Sequence, residues 1–346
     1  MRGSHDDHMK QVKATSLASR QDDRAAKLQM ETASCCLCPS PKEVPLASGE
    51  DFEYRVSPDV FVAVRCMACG MIFLKYRPVL SELGRVYPPS YHAFNFSAER
   101  FGLAYSIRQR LEARRLLAHC RDLSPDARIL DVGCGDGFHL KLLRRFGEPT
   151  WRLEGVDASE RAVAAGRETG LQVYGGPVEQ LPESATGYDL VLLIATIEHV
   201  SSPLEILTAI RARLRPGGRV LIVTDNAGSW SFRLFRRRYW GGYHFPRHWY
   251  LFTHQTLRAL ASRAGFEVEC LSTMMSPVNW VYSIHNALVD WNAPRWLVNR
   301  FTLSSTFSLA AFTLLGLLQQ AFGRGELLHA VLRRPQATGG SGSSAT

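Results

Sequence analysis

Between residues 128 and 271, short aliphatic runs alternate with segments whose apolar residues recur every three or four positions. The runs are Ile129-Leu-Asp-Val132, Leu153-Glu-Gly-Val156, Leu171-Gln-Val-Tyr174, Tyr188-Asp-Leu-Val-Leu-Leu-Ile194 and Arg219-Val-Leu-Ile-Val223, and each predicts a strand. The fourth is almost wholly apolar, as a strand covered on both faces must be. Between them, Phe138, Leu142, Leu143 and Phe146, then residues 158–170, then residues 204–214, carry helical spacing. Helices interposed between buried strands predict an α/β fold with a doubly wound, mostly parallel sheet and right-handed crossovers. A helix over 256–264 and a late strand over 265–271 follow.

Outside this core, taken as 128–275, the pattern changes. Residues 1–33 are charged and weakly periodic, which predicts a flexible leader. Over 34–80, strand-like Val60-Phe-Val-Ala-Val64 and Met71 to Leu74 accompany two C-x-x-C pairs and predict a small module. Residues 81–127 read as a loop and a helix linking it to the core. The loop, Tyr87-Pro-Pro-Ser-Tyr91-His92, either covers a site or simply connects, and Leu103, Ile107, Leu111, Leu116 and Leu117 set the helix. Residues 276–334 read as an apolar helical C-terminal extension and 335–346 as a disordered, Gly- and Ser-rich tail.

No charged residue stands between Arg300 and Arg324. Three placements stay open for that stretch: a membrane-spanning helix, a membrane-surface or partner-binding helix, and a buried helix pair. Trp291, Arg295, Trp296 and Arg300 flank it as interfacial anchors do, so membrane-surface contact through 296–322 is one expectation.

Composition adds detail. Of 346 residues, 46% are hydrophobic, enough for a sizeable core, and the net charge of +9 comes from 41 basic against 32 acidic residues. Only six of the basic residues are lysine, so the arginine excess reflects either base composition or a basic surface for an anionic substrate or membrane. The first thirty residues hold no apolar signal region, and a reducing, cytoplasmic setting is expected, with contact at the inner membrane face as an extension of it. Eight cysteines there are thiols or metal ligands rather than disulfides. Cys35 and Cys38, with Cys66 and Cys69, form two knuckles 27 residues apart, the arrangement of a structural zinc ribbon with four thiolates around Zn2+. Ordinary buried thiols and a redox pair are the rival readings, and Cys36 is a bystander.

The first strand runs into Asp131-Val-Gly133-Cys-Gly135-Asp-Gly137 at a helix N-terminus, a loop suited to close backbone approach by a ligand. It lacks the G-x-G-x-x-G spacing of dinucleotide sites. Asp157 closes the second strand, where a carboxylate can accept both ribose hydroxyls. Loop and acid together resemble the class I S-adenosylmethionine-dependent methyltransferases, whose first motif and ribose-binding acid they match. That resemblance implies a Rossmann-like methyltransferase fold and S-adenosyl-L-methionine as cofactor, with Asp131, Gly133, Gly135 and Gly137 at its methionine end and Asp157 on its ribose. It also places Val178 and Glu179 beside its adenine.

The acceptor side is less determined. Glu198-His199-Val200 followed by Pro203 resembles the E-H-V-x-x-P segment of these enzymes. In the ubiquinone-type O-methyltransferases a further glutamate three residues earlier helps bind a divalent metal; here it is Ala195, so Glu198 and His199 are expected to order the loop or line the substrate side. The segment 230–253 interleaves arginine with aromatics, as phosphate clamps, nucleic-acid grooves and membrane-interface helices do. Its second half resembles keto-sugar C-methyltransferases, which also carry a ribbon ahead of the catalytic domain and use a histidine base matched by His248. The glutamate preceding that base is Arg247 here. His248, His199 and Tyr243 are therefore the catalytic candidates, with His244 and Arg247 behind them. The expected partner is a small-molecule acceptor, phosphorylated or lipid-linked, preferably a nucleotide- or lipid-linked sugar. A quinone-like acceptor, an inactive cofactor-binding scaffold and an RNA methyltransferase are the alternatives; nucleic acid is the least favoured, because the basic residues are spread along the chain.

Overall fold

In the computed structural model, which describes residues 26–88 and 109–336, the chain first builds a small antiparallel module around the paired cysteines. β1 (Met30–Thr32) pairs with β5 (Tyr76–Pro78), while β2 (Glu43–Gly49), β3 (Phe61–Cys66) and β4 (Ile72–Leu74) form a meander. Residues 28–33, expected in a flexible leader, belong to this module, because Leu28 and Ala33 are buried in its core.

The aliphatic runs then become β6 (Arg128–Val132), β7 (Arg152–Asp157), β8 (Gln172–Gly175), β9 (Tyr188–Ile194) and β10 (Leu214–Asp225), all mutually parallel. Their crossovers include the helices Phe138–Phe146, Glu160–Glu168 and Pro203–Arg213. Ser159 and Ser202 start the last two by accepting a hydrogen bond from the backbone N–H three residues on. β11 (Tyr250–Leu251) leaves this sheet and adds an edge to the cysteine module, pairing with β4. The late run becomes β12 (Glu267–Met274), and β13 (Leu327–Arg333) completes a seven-stranded sheet of order β12-β13-β10-β9-β6-β7-β8.

β13 was not legible in the sequence. Residues 327–333, expected in a helical C-terminal extension, lie antiparallel between β10 and β12, with Leu328, Ala330 and Leu332 buried. The extension is therefore an insertion between two neighbouring strands. It contains the helices Val278–Asp290 and Thr306–Ala321, and no helix among the described residues is long and apolar enough to cross a membrane.

One part-buried histidine pair against this sheet has a pH signature. His329 on β13 lies with its Nε2 3.0 Å from that of His119, and burial, then the neighbouring imidazole, lowers its pKa to about 4. The folded value is below the unfolded value of about 6.5, so the stability held by the neutral ring is present above about pH 6.5 and lost as pH falls toward 4. His329→Gln is expected to flatten the decline of Tm across that window, read by thermal melts at several pH values.

Candidate active site at the carboxyl edge of the sheet

The glycine loop, Asp157, Glu198 and Asp225 all lie at or just past the carboxyl ends of parallel strands, the edge at which open α/β sheets bind ligands. Gly133, Gly135 and Gly137 have φ of 72°, 55° and 80°. A Cβ at Gly133 would strike Thr196 Oγ1 at 2.5 Å and one at Gly137 would strike Leu171 at 2.3 Å, whereas one at Gly135 would meet nothing within 4 Å. The outer glycines are thus packed down and the middle one faces open space. Asp157 shapes the loop from below: its Oδ2 accepts the Gly135 N–H at 2.9 Å and its Oδ1 accepts the Ser159 N–H at 2.8 Å. Each oxygen retains a further lone pair for a diol. Burial raises the Asp157 pKa, opposed by those two amides. Asp131 is also buried, and its Oδ2 finds no hydrogen-bond partner among the described residues beyond His139 Nδ1 at 3.4 Å. A buried carboxylate left in that state is suited to a cationic or N–H ligand group. Val178 is buried and Glu179 exposed on the single turn Val178–Gln180.

The second half of the site is assembled by backbone hydrogen bonds. The Glu198 carbonyl accepts the N–H of both Trp249, at 2.7 Å, and Tyr250, at 3.1 Å, which brings His248 beside His199. Their rings meet edge to face with centroids 4.6 Å apart. His248 Nδ1 lies 2.8 Å from the Gly242 carbonyl and 3.3 Å from Asp225 Oδ2. Two acceptors on one nitrogen select the tautomer that donates from Nδ1 and leaves a lone pair on Nε2. Burial, then the neighbouring His199 and His244, hold the His248 pKa well below its usual value, so the ring is neutral. Burial pushes Glu198 up to about 8, with Asp225 adding to it and Thr224, whose hydroxyl donates at 2.8 Å, opposing it. Asp225 is pushed up to about 7 by burial, against a hydrogen bond from Asn279.

Two further groups stand at this site. The Tyr87 hydroxyl lies 3.0 Å from His199 Nδ1, so the start of the proline loop reaches the site; residues 89–92 of that loop lie outside the described residues. Asp225 stands in Thr224-Asp-Asn226, which the sequence reads as the substrate-facing end of the fifth strand. Conversely, Tyr243 does not reach the cluster as a catalytic group: its hydroxyl donates to the Arg236 carbonyl and its ring stacks on Phe245 with centroids 4.9 Å apart. It is a packing residue, as expected of a tyrosine with 1% exposure. Arg247 is fully buried, paired through both terminal nitrogens to Asp51 and stacked 4.3 Å over Tyr54. His244 Nδ1 lies 2.8 Å from Glu53 Oε1. These two tie the cysteine module to the acceptor segment.

Comparison with known proteins decides the family. Residues 104–271 match the family described as "Methyltransferase domain". The ubiquinone biosynthesis O-methyltransferase of Ruegeria sp. (strain TM1040) is 32% identical over 185 residues, 47% of this chain and 72% of that protein. The chain is an S-adenosylmethionine-dependent methyltransferase. A tRNA U34 carboxymethyltransferase of Saccharophagus degradans is 31% identical over 118 residues, but the chain spans only 35% of that relative's length. Among solved structures, geranyl diphosphate methyltransferase in complex with SAM is 16% identical, with 72% of this chain and 93% of that chain covered and a TM-score of 0.46.

For this methyltransferase the donor fits the loop on two counts: the open space over Gly135 and the partly satisfied Asp131. Asp157→Ala removes both the diol acceptor and the tether of Gly135. It is expected to weaken S-adenosylmethionine by about 1–3 kcal/mol, roughly five- to 150-fold, in calorimetric titration.

The methyltransferase also has two residue sets able to hold metal. Cys35, Cys38, Cys66 and Cys69 cluster without Cys36, with Sγ separations of 3.3 Å (35–69), 3.4 Å (38–66) and 3.8 Å (35–38). A zinc–sulfur bond of about 2.3 Å gives a tetrahedral edge near 3.8 Å, so these sulfurs need move only slightly to close on an ion. In the other set, Glu198, His199 and His248 bring ligand atoms within 4.8 Å of one another. A divalent cation held there would take the His248 Nε2 lone pair and so replace its role as a base, polarising an acceptor oxygen instead.

Proposed function

We propose that this methyltransferase methylates a hydroxyl, or an enolisable carbon, of an apolar or lipid-linked small molecule, with His248 removing the proton. The observation that carries this reading is the setting of His248: a buried neutral imidazole at the ligand-binding edge of the sheet, held at Nδ1 by Gly242 and Asp225, which leaves Nε2 as the nitrogen that would take a proton. The sulfonium of the donor supplies an activated methyl. The residues then have to bind, align and take a proton. On this reading Asp131 and the three glycines hold the methionine end, Asp157 the ribose, and the Val178 amide with Glu179 the adenine. His199 and Tyr87 order the acceptor against His248.

The acceptor class follows from what the arginine-aromatic segment does. Arg247 is committed to Asp51 and Arg238 to Asp290, which weakens the phosphate-clamp reading and with it a nucleotide-linked sugar. Trp240, Tyr243, Phe245 and Trp249 are buried and offer no stacking faces to RNA. The similarity to ubiquinone biosynthesis O-methyltransferases supports a hydroxyl acceptor. A keto sugar remains the second reading, favoured by the cysteine module standing directly against the His248 segment through β11. Labelled S-adenosylmethionine offered with a catechol-type quinol precursor, a lipid-linked sugar, a nucleotide-linked keto sugar and transfer RNA tests the proposal. Label is expected in one of the first two; label in transfer RNA alone overturns it.

A further inference from the structure

The inserted helix Thr306–Ala321 is turned inside out. Its buried positions are Ser308, Gly316 and Gln319. Its exposed face carries Phe307 (72% exposed), Leu314 (70%), Leu317, Leu318 and, just past its end, Phe322 (66%). Phe307, Ala311, Leu314 and Leu318 recur at four-three-four spacing, so they form a continuous outward stripe.

This orientation is fixed by the polar side. Gln319 accepts from Trp280 Nε1 at 3.0 Å and donates to the buried Glu326 at 3.0 Å, while the Ser308 hydroxyl donates to the Arg300 carbonyl. A Cβ on Gly316 would meet Met275 at 2.6 Å, so the helix backbone lies close against its support on this side. Rotating the stripe inward would bury leucines where hydrogen bonds now stand and leave Glu326 without Gln319. The stripe therefore belongs to something outside the described fold.

We propose that this face docks on an anionic membrane surface, with the helix lying flat in the headgroup region. Charge chooses the occupant. From residue 291 to residue 325 the chain has no Asp or Glu, while Arg295, Arg300 and Arg324 are exposed beside the stripe. A second copy of this chain packed there would oppose arginine to arginine; anionic lipid neutralises them. Trp291 and Trp296, each about two-thirds exposed, have the amphipathic rings that settle at the headgroup boundary. At 16 residues the helix is about 24 Å long, suited to lie in the interface rather than to span it. The proposal rests on no assumption about the acceptor.

Flotation with phosphatidylcholine vesicles, with and without phosphatidylglycerol, tests it on the full chain. The wild type is expected to float with the anionic vesicles only, and less so at high salt. The triple variant Phe307→Ser/Leu314→Ser/Leu318→Ser should lose about tenfold or more in partitioning, while its S-adenosylmethionine binding and circular dichroism stay unchanged. Arg295→Glu/Arg300→Glu, which leaves the stripe intact, should also reduce partitioning and remove most of its salt dependence. Three results would each overturn the proposal: no flotation of the wild type, flotation untouched by both variants, or a wild-type dimer in sedimentation equilibrium that the triple variant abolishes.

Discussion

His248→Ala is expected to bind S-adenosylmethionine as the wild type does and to transfer its methyl about 10²–10⁴-fold more slowly, the range for loss of a positioned general base. On the proposed reading donor and base are held by different elements: the glycine loop follows β6 and Asp157 ends β7, whereas the His248 ring is held by the Gly242 and Asp225 oxygens and the backbone after it by the Glu198 carbonyl. Affinity for the donor and rate of transfer should therefore separate. His248→Gln, which can still donate to Gly242 but has no basic nitrogen, should be as slow as the alanine variant. Single-turnover rates with the donor saturating would show this. A glutamine variant near wild-type speed would make His248 a positioning residue only.

The second large effect is expected from the cysteines. Cys66→Ser should lose a bound zinc ion, measured by metal analysis of the purified chain, and lower Tm steeply; Cys36→Ser, outside the cluster, should keep both. Binding free energies of structural zinc sites, of order 10 kcal/mol, are comparable to the whole stability of a domain. The damage should not stay local. β11 follows His248 directly and pairs with β4, and the Leu74 N–H donates to the Trp249 carbonyl at 2.9 Å. Loosening the module thus loosens the base. Transfer should fall further than S-adenosylmethionine affinity when zinc is removed by a chelator, because β6 and β7 lie in the other sheet. Zinc-free protein with an unchanged Tm would contradict this.

Which features were legible in the sequence follows from how local their causes are. The parallel strands from Ile129 to Val223 were readable because each is a buried run bounded by its own turns, and the glycine loop because its φ values admit little else. The two C-x-x-C pairs likewise carry their chemistry in their spacing. β13 could not be read, since seven residues in an apolar stretch look alike whether they finish a helical insertion or enter a sheet from 50 residues away. Its identity comes from pairing with β10 and β12.

The acceptor site shows the same division. His199 and His248 were visible as residue types, but their meeting depends on one carbonyl, that of Glu198, taking both the Trp249 and Tyr250 amides. Tyr243 reads as a candidate and Tyr87 only as the start of a loop, yet Tyr243 is sealed against Phe245 and Tyr87 is the one that reaches His199. Arg247 reads as a second-rank site candidate because nothing in the sequence ties it to Asp51, far earlier in the chain.

On the proposed function, one edge of the sheet holds the donor through Asp157 and a proton acceptor at His248. The most direct test of that arrangement is single-turnover transfer of labelled methyl to a catechol-type or lipid-linked hydroxyl by wild type, Asp157→Ala and His248→Ala, with donor affinity measured alongside. The account predicts that Asp157→Ala recovers much of its rate at high donor concentration and that His248→Ala recovers none. Full-rate transfer by His248→Ala, at any donor concentration, would contradict it.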